Sequence, residues 1–233
     1  EMMSEGTTRR VLDLVGSYGI NLLGHQSVLL KNIKTEIAGL SIPNFIQGTV
    51  NPFHSELNGK LKEHLGNETG VFEWEIEYAN SGSEIVEAAI KICYNNYLER
   101  VEKIKQDFNE AYNYFHSMGM VNERTHLENQ LMILKETPGI IHIEGSYHGK
   151  TIGLMPIAGK RDTARDIPMR LPALKINRDG SNLEPLLKEK LIYFDVWDRK
   201  NNKWKQEIFL PVVAVRFEPI QGESGVHVLN ENL

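Results

Sequence analysis

One cysteine, Cys93, is present among 233 residues, so the chain cannot close a disulfide on itself. That excludes a disulfide-stapled scaffold and fits a reducing compartment. Long hydrophobic runs are missing as well: none approaches the roughly 20 consecutive apolar residues that cross a bilayer, and the first residues lack the apolar core of a secretory leader. The expected location is cytoplasmic, away from any membrane. Basic residues are the minority charge, 26 Lys and Arg against 31 Asp and Glu, for a net charge of -5. Without a concentrated positive face to neutralise phosphates, no nucleic-acid partner is expected; runs such as Lys160-Arg161 and Lys188-Glu189-Lys190 read as solvated surface. Several chemical signatures are missing too. No Gly-x-Ser-x-Gly elbow marks a nucleophile, and the glycines do not form the dinucleotide fingerprint. His142-x-Glu144 lacks the paired cysteines that a zinc deaminase site needs.

What remains is the composition of an ordinary globular protein, 41% hydrophobic and 24% charged, long enough to bury a sizeable core. Its most informative stretch is Ala79-Asn80-Ser81-Gly82-Ser83-Glu84. Before it, Val71 to Ala79 alternates, carrying Phe72, Trp74, Ile76 and Tyr78, a strand pattern. After it, Ile85, Val86, Ala89, Ile90, Cys93 and Tyr97 recur at helical spacing, with Glu87 and Lys91 as a favourable i,i+4 pair. Ser81 followed by Glu84 forms a capping box, and Gly82 offers no Cβ to a group approaching the backbone. Such a turn can receive an anion on its free amides and at the positive end of the helix dipole. The same pattern also marks an ordinary helix start.

Elsewhere, residues 1–70 alternate short apolar pieces with glycine, with helices expected over Ser27 to Leu40, before Pro43, and over Ser55 to Leu65. Val101, Ile104, Phe108, Ala111, Phe115 and Met118 follow a heptad-like seam, broken at Gly119 and resumed by Leu127, Leu131 and Leu134. This predicts a helical hairpin over about 97–136. Ile140 to Glu144 reads as a short strand that leads into Tyr147-His148-Gly149. A helix is expected over Asp179 to Lys190, and a polar hairpin over Tyr193 to Phe209 through Asp198 to Asn202. Pro211 to Phe217 reads as a buried strand ahead of Glu218-Pro219-Ile220-Gln221-Gly222-Glu223. Strands alternating with helices indicate an α/β fold with a mainly parallel sheet and flanking helices.

In such sheets ligands gather outside the carboxyl ends of the strands, and each of the three motifs follows a strand-like segment. The residues therefore describe a ligand with a phosphate, held at Ser81 to Ser83, and a flat ring against which Tyr147 and His148 can lie. Glu218 and Glu223 can orient substrate or support a hydrogen-bond network. Each also has a plain alternative: Tyr147 as a packing residue, Glu218 as a strand-end acid, and Gly222 and Gly225 as turn formers.

The order of the motifs closely resembles that of the class III aminotransferases, pyridoxal-phosphate enzymes of fold type I. Asn80-Ser81-Gly82-Ser83-Glu84 with Glu87 to Lys91 comes first, then Tyr147-His148-Gly149-Lys150-Thr151, then Glu218 to Glu223. Leu12-Asp13 and Asn21 to His25 are similar to the family's N-terminal region. The resemblance implies that residues 1–70 contribute to a small domain and dimer contacts. It makes 71–233 an incomplete large domain that carries the cofactor, pyridoxal 5'-phosphate. It assigns Ser81, Gly82 and Ser83 to the cofactor phosphate, Tyr147 and His148 to the pyridine ring, Glu218 to the ring's polar edge and Glu223 to the substrate.

The resemblance further implies a homodimer that moves an amino group from an amine or amino acid to a carbonyl acceptor. The family's Schiff-base lysine and pyridine-binding aspartate follow the third motif, so both are expected beyond Leu233. No lysine in 1–233 is nominated in its place, and the chain alone is expected to be inactive. The 97–136 hairpin and the polar segment around Asp198 stand out as insertions. An alternative reading is a lysine-less binding or assembly module that uses the helical hairpin.

Overall fold

A computed structural model describes residues 2–4, 7–9, 12, 14, 16–17, 19–25, 27–40, 52–157, 172–223 and 225–229. Asp13, Pro43 and the Lys160-Arg161 pair lie outside the described residues. The chain divides into two units, Glu1–Ile76 and Glu77–Leu233.

In the first unit, β1 (Met2–Ser4) pairs antiparallel with β2 (Thr7–Arg9). Helix α1 (Val28–Gly39) begins after Ser27 as its spacing predicts, yet none of its residues is buried. Helix α2 (Pro52–Thr69) is longer than the Ser55 to Leu65 pattern, because proline suits a first helical turn and Gly70, at φ +73°, ends the helix. Val71 to Ala79 is not a strand. Its alternation is used locally: Trp74 Nε1 donates to the carbonyl of Val71 at 2.6 Å, and the Phe72 ring lies against Gly66 of α2, where a Cβ would sit 2.5 Å from it. Among the described residues no strand pairs with this segment, and a strand needs a partner for its backbone groups.

The second unit is built on a three-stranded parallel sheet in the order β4–β3–β7, with β3 spanning Gly139–Ile143, β4 Ala173–Ile176 and β7 Val212–Arg216. Every residue of β3 is buried, as befits a central strand. Its side chains alternate between two cores. Ile140 meets Val86 of α3 (Gly82–Ser117) with Leu154 and Ile157, while Ile141 and Ile143 meet α5 (Leu183–Lys190) through Leu183, Leu186 and Leu187. The strand expected over Pro211 to Phe217 is confirmed, but not as one buried on both faces: β7 forms an edge, and Val215 and Phe217 are exposed.

The hairpin expected over about 97–136 is also redrawn. Helix α3 runs unbroken for 36 residues, because no glycine or proline interrupts Ser83 to Ser117. Gly119, at φ +70°, stops it: its N–H donates to His116 O at 3.1 Å and the Met120 N–H to Phe115 O at 2.9 Å, the Schellman pattern. Helix α4 (Val121–Ile133) then returns. The polar segment is a regular antiparallel hairpin, β5 (Ile192–Asp198) and β6 (Lys203–Phe209). Its apolar side chains occupy the helical seam: Phe108 and Phe115 of α3 and Leu127 of α4 close over Phe194 and Phe209. The two apparent insertions thus share one core. Trp197 and Trp204, directly cross-strand and edge-on at 5.3 Å, both lie on the Phe115 ring, at 5.0 and 5.6 Å.

Phe115 is fully buried in this aromatic cluster. Phe115→Ala is expected to destabilise the protein by about 3–5 kcal/mol in urea unfolding and to alter tryptophan fluorescence. Leu98→Ala, at a side chain that is 44% exposed, is expected to cost less than about 1 kcal/mol.

Candidate functional site

The site begins with helix α3. Ser81 is its N-cap in extended conformation, and its Oγ accepts from the Glu84 N–H at 3.3 Å and donates to Glu84 Oε2 at 3.1 Å. Ser81 O accepts from the Ile85 N–H at 3.2 Å. The amides of Gly82 and Ser83 precede the first intrahelical bond, so they are left for an external acceptor. At Gly82 a Cβ would meet nothing within 4 Å, so the approach to these amides is open.

Loop 144–154, which leaves the carboxyl end of β3, packs directly on this turn. Ser83 Oγ and Leu154 lie so close to Gly149 that a Cβ there would collide with both; Gly149 also holds φ +116°. Thr151 Oγ1 donates to Glu87 Oε1 one turn further along α3. The loop after β7 closes the other side. Glu218 Oε2 accepts the Tyr147 N–H at 2.6 Å, and the fully buried Gln221 donates from Nε2 to Glu144 O and to Ser146 Oγ, both at 3.0 Å. From the end of β4, Arg178 Nε donates to Glu144 O at 3.3 Å. The three sequence motifs therefore meet at the carboxyl ends of β3 and β7 and the amino end of α3.

His148 is buried at 3% exposure, and its Nδ1 accepts from Arg216 Nε at 3.1 Å. Burial first, then the Arg216 charge and His142, push its pKa down to about 4, so the ring is neutral at physiological pH. His142, on β3, is also buried and held below the usual histidine range, mainly by burial. Among the described residues, His148 Nε2, His142 Nδ1 and Gln221 Oε1 are buried without a hydrogen-bond partner. Glu144 pairs with Lys175 at 3.0 Å, which lowers its pKa.

Of the sequence-derived residues, Ser81, Gly82, Ser83, Tyr147, His148 and Glu218 are brought into this cluster. The Tyr147 side chain is 38% exposed beside it. Glu223 is exposed in the turn between β8 (Ile220–Gln221) and β9 (His227–Val228), and among the described residues no hydrogen bond ties it to the others. Arg216, Gln221 and Arg178 were given no role by the sequence reading. A charged residue ending the apolar run Val212 to Val215 was the available signal for Arg216; for Arg178 the sequence offered none.

Gly149→Ala is expected to disturb this junction, costing about 1–3 kcal/mol from its positive φ and the collision with Ser83, whereas Gly82→Ala leaves thermal unfolding nearly unchanged. The buried histidine predicts an acid-labile fold. Its folded pKa, about 4, lies below the unfolded value near 6.5, so the unfolded chain binds more protons between them. Stability present above about pH 6.5 is lost as pH falls toward 4, by up to roughly 3 kcal/mol. Urea midpoints at pH 7 and 5 check this, with a smaller drop expected in His148→Gln.

The chain is 28% identical over 222 residues to the aminotransferase PigE of Serratia sp. (strain ATCC 39006), covering 93% of this chain and 18% of that protein. It is 36% identical over 229 residues to the acetylornithine aminotransferase of Aquifex aeolicus (strain VF5), covering 96% of this chain and 44% of that one. The chain thus spans less than half the length of either relative. The family described as aminotransferase class-III, whose members depend on pyridoxal phosphate, matches residues 2–233, and the chain belongs to it.

Proposed function

We propose that the whole protein is a transaminase that moves an amino group from an amine or amino acid to a carbonyl acceptor by a ping-pong route with pyridoxal 5'-phosphate. The observation that carries this reading is the convergence of three distant motifs on one donor-rich turn. The residues fit the cofactor: two free amides and open space at Gly82, serine hydroxyls beside them, and a buried unpartnered nitrogen on His148. Ser81, Gly82 and Ser83 would hold the phosphate, Tyr147 and His148 would flank the ring, and Glu218 would sit at its polar edge. When bound, the cofactor supplies an electron sink for the carbon that bears the amino group.

The protein's own residues bind and orient. Ser83 and the α3 amides offer neutral donors and a dipole rather than mobile cations, which fixes an anion in one place. Tyr147 is anchored through its backbone, so its side chain is free to lie along a ring while Glu218 holds the loop. His148 remains neutral and offers a single N–H. Glu223, exposed and outside the cluster, would face substrate.

A homodimer and a cytoplasmic location complete the proposal. Exposed apolar side chains of the N-terminal unit, Ile20, Leu22 and Val28 among them, support a surface buried on assembly.

Adding a broad panel of amines to the protein loaded with pyridoxal phosphate is expected to change the cofactor's visible absorbance, and a keto acid to restore it. A loaded protein that responds to none of the panel refutes the reading. Ser83→Ala is expected to weaken cofactor binding roughly tenfold or more, for loss of a bond to a charged group.

A further inference from the structure

We propose that Arg216 is a positioning residue: its Nε–H fixes His148 as the Nε2–H tautomer and so presents a buried, oriented hydrogen-bond donor to an oxygen acceptor of the ligand. The inference rests on the proposed function only for the identity of that ligand.

Arg216 closes β7 and is in register with His142 of β3, so the two neighbours share one face of the sheet at its carboxyl edge. His148, on the loop after β3, takes the Arg216 Nε–H on its Nδ1 at 3.1 Å. A guanidinium has donors only and stays charged, so the nitrogen facing it must be a bare acceptor. A neutral imidazole then has one place left for its proton, Nε2. The charged and titratable groups around the ring agree: Arg216 and His142 both disfavour a second proton, and burial does so more strongly. Burial lowers the Arg216 pKa and Glu218 only partly opposes this, yet a guanidinium starts so high that it stays charged.

The tautomer has a consequence. His148 Nε2 is buried and, among the described residues, has no hydrogen-bond partner, while the Tyr147 backbone carbonyl beside the ring favours a proton on it. Buried donors are nearly always satisfied, so one left open among the described residues calls for a further acceptor, the role this proposal gives to the ligand. Ser83, at the open amides, packs against Gly149, the neighbour of His148, so the histidine belongs to the loop seated on the anion-receiving turn.

The test uses the whole protein with nitrogen-15 in histidine and arginine, first without cofactor. The wild type is expected to show the proton of His148 on Nε2 and a coupling across the hydrogen bond from Arg216 Nε to His148 Nδ1. Arg216→Met is expected to populate the Nδ1–H form, and Arg216→Lys, still a donor, to restore the wild-type tautomer. With pyridoxal phosphate added, the Nε2 proton should shift, and Arg216→Met should bind roughly tenfold more weakly than wild type, with Arg216→Lys between.

A wild-type proton on Nδ1, an unchanged tautomer in folded Arg216→Met, or unchanged affinity in that variant overturns the inference. If Arg216→Met does not fold, the wild-type tautomer and coupling decide alone. Wild-type protein that shows the tautomer but binds no pyridoxal phosphate overturns the functional reading, while the tautomer still decides the role of Arg216.

Discussion

The parallel pairing of β3 with β7 is the constraint on which the site depends. The two strands lie far apart in the chain, with β4, α5 and the β5–β6 hairpin between them, yet they run side by side with Ile140 beside Ala214 and His142 beside Arg216. Because both point the same way, the loops that leave them emerge at one edge. The bonds from Tyr147 to Glu218, from Gln221 to Ser146 and from Arg216 to His148 are all consequences of that shared edge. A slip of one residue would turn Arg216 to the opposite face and separate it from His148.

The chemistry at that edge is uneven in a useful way. Much of its acceptor capacity is already engaged inside the protein: Glu218 by the Tyr147 amide, Glu144 O by Gln221 and Arg178, Glu87 by Thr151. What remains uncommitted includes the amides at the start of α3 and the Nε2–H of a neutral histidine. A chain that is acidic as a whole thus keeps backbone donors uncommitted at this one place, which is what the proposed anionic ligand would need.

Much of this was legible in the sequence where the determinants are local. The cap at Ser81, the buried strand at Ile140, the stop at Gly119 and the turn through Asp198 to Asn202 follow from residue chemistry within a few positions. Val71 to Ala79 misled because alternation records which faces differ, not whether a partner strand exists. The seam on α3 was visible, but its occupant, some 80 residues away in β5 and β6, was not; hence two insertions appeared where there is one core. Arg216 and Gln221 escaped for the same reason: their roles exist only across the β3–β7 pairing. Glu223 shows the converse, a motif residue whose sequence position alone did not place it in the cluster.

Helix α3 ties the two halves of the second unit together as a single beam. At the usual rise per residue its 36 residues span about 54 Å, with the Gly82 and Ser83 amides at one tip and the Phe115 cluster at the other. A beam of that length is a lever: pivoting it by about one degree at the aromatic end carries the far tip through about 1 Å. Displacements of that size separate productive from unproductive alignment of reacting groups. The rigidity of the packing around Phe115 therefore sets a mechanical tolerance for the amides at Gly82 and Ser83, although no residue of that packing comes near them in sequence.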